Sequence, residues 1–139
     1  MGLIFTDIEL INAIDLGNAR FEQLPMADVR RMNVRALVDT GAYMLTINET
    51  VRHQLGVPKL DEEVAILADG SQLPVDIVGP IEVRFKNRRT TVDAVVIPGD
   101  EQILLGAIPL EGMDVVIDTK AQEMTVNPKH PNIAVTILK

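Results

Sequence analysis

With 139 residues, 20 acidic against 13 basic side chains and a formal charge of −7, the chain is sized for one domain with its own core, and its acidity argues against a nucleic-acid partner. It has no cysteine, which excludes a disulfide framework, a thiol nucleophile and thiolate metal ligation. Its two histidines, His53 and His130, stand far apart in sequence, so no metal site and no cofactor is expected.

The opening stretch "MGLIFTDIELINAI" is interrupted by Asp7 and Glu9 and has no basic region ahead of it, so it does not read as a leader. No apolar run reaches the ~20 residues of a membrane span, and a cytoplasmic protein without a membrane partner is expected. Period-2 runs rich in β-branched residues then dominate: 4–11, 34–38, 64–68, 81–85, 91–97, 114–118, 123–127 and 133–138. "KNRRT" at 86–90 reads as a tight hairpin connection, and the cations around it, Arg84, Lys86, Arg88 and Arg89, as a solvated turn. Helix signals are few. Thr46 and Glu49 have capping-box spacing, Ile47, Val51 and Leu55 follow at four-residue steps, and Gly56 and Pro58 close a helix expected over 46–58. A second short helix is expected after Gly106, with Pro109 in its first turn. The pattern predicts an all-β fold, a closed β-barrel or sandwich with one or two short helices, in one domain spanning 1–139 whose first 33 residues form an additional N-terminal hairpin.

Within "ALVDTGAYMLTIN" at 36–48, apolar Leu37 and Val38 end a strand and deliver Asp39 to a turn that Gly41 permits. Chance places Asp-Thr-Gly in roughly one chain in thirty of this length, so the tripeptide alone decides little. Asp39-Thr40-Gly41-Ala42 after an apolar strand resembles the signature of the aspartic proteases, and its setting is similar to the retropepsin-like branch (clan AA), including single-domain bacterial members. "ILADGSQLPV" (66–75) resembles the flap hairpin of that family. "ILLGA" (103–107) resembles the apolar-apolar-Gly motif that packs beside the catalytic loop, and "GMDVVIDTKAQEMTVNP" (112–128) resembles the strand pair that follows it.

The resemblance implies one acid per chain, because Asp118-Thr119 is followed by Lys120 and not by the glycine that the turn requires. The partner acid is then Asp39 of a second copy, in a homodimer with its active site on the two-fold axis. Two carboxylates held close together share one proton; the ionised one acts as general base on water and the protonated one polarises the scissile carbonyl. By the same resemblance Asp39, Thr40 and Gly41 are catalytic, with Thr40 locking the two loops together across the axis. An extended peptide or unfolded protein substrate is bound by Leu37, Ala42, Tyr43 and Met44, by Leu67, Ala68, Asp69, Gly70 and Ser71 of the flap, and by Leu104 and Gly106. Ala42 offers no hydroxyl to the carboxylate, which predicts a working range nearer neutral than that of relatives with serine there. An Asp-Arg pair common in retroviral members is missing, with Tyr43 and Ala107 in its place, and "IAVTIL" at 133–138 is a candidate to pair with its symmetry mate. The reading from another class is a catalytically dormant dimeric β-domain that binds peptides or proteins. The intact Asp39-Thr40-Gly41 favours the enzyme, since a binding module gains nothing from two acids that repel.

Overall fold

The computed structural model describes residues 3–138. Nine strands and three α-helices follow in the order β1 (Phe5–Asn12), α1 (Ala13–Arg20), a 3-10 turn (Met26–Asp28), β2 (Arg31–Val38), β3 (Leu45–Asn48), α2 (Glu49–Leu55), β4 (Lys59–Ile66), β5 (Gln72–Phe85), β6 (Arg88–Ile97), β7 (Leu104–Leu105), α3 (Ala107–Gly112), β8 (Val115–Asp118) and β9 (Glu123–Val126). Six strands close on themselves in the order β1-β2-β7-β3-β6-β5, with β1 pairing back onto β5, and β4 extends the sheet as an arm on β5. This is a mostly β, retropepsin-like architecture. Closure follows from alternation: along β1, Ile8 and Leu10 point inward while Asp7 faces water, and Val34, Ala36, Leu45, Ile47, Ile81, Val83, Ala94 and Leu105 complete the lumen.

Residues 3–33, expected as an additional hairpin, contain a strand that belongs to the barrel itself. β1 pairs antiparallel with β2 along its length and with β5 over Glu9–Asn12, so without it the barrel is open. The connection to β2 is helical, which the strand pattern does not anticipate. Asn12, 1% exposed, caps α1 by accepting from the Ile14 and Asp15 amides at 3.0 Å each, and its Nδ2 donates to the Leu55 carbonyl at 2.8 Å. Three α-helices therefore stand where one or two are expected.

The helix expected over 46–58 is shorter. Its first three residues finish β3, where Leu45 and Ile47 are fully buried, and the cap is Asn48, whose side chain accepts from the Val51 amide at 2.9 Å, in place of Thr46. Gly56, at φ +64°, ends α2 in the left-handed conformation. The 133–138 segment forms no strand: a strand needs a neighbouring edge, and here Val135 N donates instead to the Asp114 carboxylate at 3.0 Å while Ile133, Ile137 and Leu138 stay exposed. Asp114 also receives Asn127 and His130, which ties this segment to the turn that leads into β8. No helix among the described residues is long and apolar enough to cross a membrane.

Candidate active site

Two parallel strand ends build the site. β2 and β7 run side by side with Leu37 opposite Leu104 and Val38 opposite Leu105, so the next residues, Asp39 and Gly106, leave the barrel at the same end. Asp39 is half-buried there. Its backbone N–H donates to the Leu105 carbonyl at 3.1 Å, its carbonyl accepts from Ala42 N at 3.1 Å, and its Oδ1 accepts from Gly41 N at 2.9 Å. The aspartate is thus held by main-chain bonds from both sides of a tight turn, which fixes its carboxylate without help from another side chain.

The 103–108 stretch clamps that turn. Leu37 N donates to the Ile103 carbonyl, Ala107 N to the Ala42 carbonyl and Ile108 N to the Tyr43 carbonyl, each at 2.9 Å. These last two bonds tie residues 42–43 to residues 107–108 through the backbone alone. Gly106 makes the approach possible: a Cβ there would sit 2.4 Å from the Met44 carbonyl oxygen and 2.9 Å from that of Ala42. Its φ of −87° is ordinary, so the requirement is space alone.

The structure therefore brings Leu37, Asp39, Gly41, Ala42, Tyr43, Met44, Leu104 and Gly106 into one constellation, with Thr40 exposed at its outer edge. Tyr43 is 66% exposed, and Ile108 at 41% lies beside it as an apolar neighbour that the residue pattern did not single out. The other five residues stand on a separate element. Leu67, Ala68, Asp69, Gly70 and Ser71 form the exposed tip joining β4 to β5, closed by Leu67 N to Ser71 O at 2.8 Å and Gly70 N to Leu67 O at 2.9 Å, with Gly70 at φ +84°. The Ser71 hydroxyl and amide both donate to Asp69 Oδ1, and these bonds hold the Asp69 carboxyl below its usual range. Lower on the same arm, Arg52 of α2 donates to Asp76 at 2.8 Å, which lowers the Asp76 carboxyl and anchors the arm's base to the barrel.

The second Asp-Thr dipeptide has a different job. Asp118 sits at the turn between β8 and β9, where its Oδ1 accepts from the Lys120 and Ala121 amides at 3.0 Å each. It is a turn cap, spent on its own backbone.

A family model described as aspartyl protease matches residues 26–107, more than half of the chain, which takes in the Asp39 turn, the β4–β5 arm and Gly106. No curated protein matches the chain.

Proposed function

The chain belongs to the aspartyl protease family, and on that premise we propose that it is an endopeptidase whose catalytic pair is Asp39 and the same residue of a second copy. The observation that carries this reading is the single Asp39 turn, held entirely by main-chain bonds at an open end of the barrel. One such carboxylate is half of a dyad, and Asp118 is committed to its own turn. A symmetric dimer supplies the other half by placing the same patch of both subunits on the axis.

In that site the ionised carboxylate takes a proton from a water molecule as its oxygen attacks the scissile carbonyl carbon, while the protonated carboxylate donates its proton to the carbonyl oxygen. Collapse of the tetrahedral intermediate then breaks the C–N bond, with the proton passed to the leaving amine. Thr40, exposed beside the turn, is the contact between the two loops. The β4–β5 arm covers the substrate, which joins it as an extra extended strand and is shielded from water. Leu37, Ala42, Tyr43, Met44, Leu104 and Gly106 form the floor, and Leu67, Ala68, Asp69, Gly70 and Ser71 the roof. Apolar Ile108 extends the floor next to Tyr43.

The test compares the wild-type protein with Asp39→Asn on a mixture of denatured proteins. Asparagine keeps an oxygen for the Gly41 amide, so the fold should survive, while cleavage should fall by about 10²–10⁴-fold with loss of the acid-base group. Equal cleavage by both proteins would eliminate the dyad. Sedimentation equilibrium should show a dimer under the assay conditions, and an active strict monomer would eliminate the shared site.

A further inference from the structure

The β5–β6 hairpin tip is organised around a buried acid, which its basic sequence does not suggest. Arg84 and Arg89 are direct cross-strand partners, and two like charges in that position repel unless an anion lies between them. Glu82, 1% exposed, is that anion. Its Oε2 accepts from Arg84 Nε at 2.6 Å, and its Oε1 accepts from Arg89 Nε at 3.1 Å and Nη2 at 2.9 Å. Arg20, from the last turn of α1, approaches the same carboxylate to 3.8 Å, and Lys86 at the hairpin tip lies 5.3 Å from the centre of the Phe85 ring. Burial alone would raise the Glu82 carboxyl, but Arg89 and Arg84 outweigh it and hold the group below its usual range. The carboxylate stays charged, and it neutralises one of four cations.

From this arrangement we infer that the outer face of the cluster docks an acidic segment of a partner polypeptide, its Asp and Glu side chains pairing with the outward sides of Arg20, Arg84, Lys86 and Arg89. Arg89 spends Nε and Nη2 on a single oxygen of Glu82, and its other guanidinium N–H groups can serve a second carboxylate. Because Glu82 holds Arg84 and Arg89 in place, little side-chain order is lost when a second carboxylate arrives. Arg20 and Arg89 remain 53% and 57% exposed along their side chains. Glu9, the cross-strand neighbour of Arg84 on β1, reaches Arg31 at 3.6 Å, and with Asp7 it borders the groove beside Arg84 and Lys86.

Charge range selects the partner class. At physiological salt, fields between exposed charges fade over about 8 Å, so a short acidic segment responds to this cluster rather than to the rest of the surface. A long polyanion such as nucleic acid reaches beyond it onto a chain whose net charge is −7. The inference stands independently of the protease reading.

The experiment titrates the full chain into fluorescein-labelled hexaglutamate and reads anisotropy at low and at physiological salt. Arg20→Glu with Lys86→Asn spares the two arginines that satisfy Glu82, and asparagine suits the φ of +50° at residue 86. This double variant should bind about tenfold more weakly, on the scale of two lost surface pairs and one reversed charge. The charge-matched pair Lys120→Glu with Lys129→Asn should bind as wild type does. Absence of wild-type binding at low salt, equal losses in the two double variants, or tighter binding of an oligonucleotide of equal charge would each overturn the assignment.

Discussion

Replacing Gly106 by alanine tests how the Asp39 turn is held. The added Cβ would meet the Met44 carbonyl oxygen at 2.4 Å, and at 2.9 Å both the Ala42 oxygen and the Tyr43 carbonyl carbon. All three are backbone atoms of the Asp39 loop, so no side chain can rotate away and the two segments must separate by about 1 Å to restore contact distance. Overpacking of that kind costs about 1–3 kcal/mol. The Ala107–Ala42 and Ile108–Tyr43 hydrogen bonds, both 2.9 Å, span the same junction and weaken with it, at about 0.5–1.5 kcal/mol each. A total of about 3–4 kcal/mol corresponds, for a domain of this size, to a fall in Tm of roughly 10–15 °C by calorimetry. The same displacement moves Asp39, whose amide is bonded to the Leu105 carbonyl, so cleavage of denatured protein should drop by about 10²-fold even where the variant is fully folded. A Tm within about 2 °C of wild type together with unchanged cleavage would show that the clamp does not position the aspartate.

Gly70→Ala offers the opposite case: no atom lies within 4 Å of the new Cβ, but φ is +84°, so only backbone conformation resists it, at about 1–2 kcal/mol, and calorimetry should show a Tm loss well below that of Gly106→Ala. Asn12→Ala removes the α1 cap and the buried bond to Leu55, and urea unfolding should report a loss of about 2–3 kcal/mol, with no change in the slope against denaturant. Asp114 is held at about 2, below the ordinary 3.8, by the Val135 amide, Asn127 and His130. Its folded value is lowered, so its stabilisation is complete above about pH 4 and disappears as the pH falls from there towards 2. The urea-midpoint gap between wild type and Asp114→Asn should therefore close over that window, and a gap that widens on acidification would contradict the anchoring role.

Alternation and turn chemistry were enough to read β1 and most of β6, because inward and outward positions differ in composition along them, but reached only 81–85 of β5, which begins at Gln72. They were not enough for β3 and α2, whose junction lies inside one apolar run: Leu45 and Ile47 fit a strand, Ile47 and Leu55 fit a helix, and the barrel wall decided at Asn48. Helix α1 has weak local signals, with Gly17 at its centre, and owes its start to an asparagine whose side chain also reaches α2, 43 residues away. The segment at 133–138 has strand composition and no strand, with the Val135 amide given to the Asp114 carboxylate. At the site, the Asp-Thr-Gly turn and the apolar-apolar-Gly motif were visible as two stretches about 65 residues apart. That they lie side by side follows from the resemblance; that main-chain bonds join them was not visible, because such bonds leave no trace in residue type except the glycine they require.

By itself the amino-acid order determined the chemistry on offer: a single Asp-Thr-Gly turn, no thiol, and strands enough for a closed sheet, since these follow from side-chain identity and near-neighbour spacing. Tertiary structure alone decided that β1 shuts the barrel, that residues 105–108 grip the aspartate turn, and that an apparently solvated basic tip encloses Glu82. Each of these depends on groups far apart along the chain, and only the folded backbone brings them within hydrogen-bonding distance.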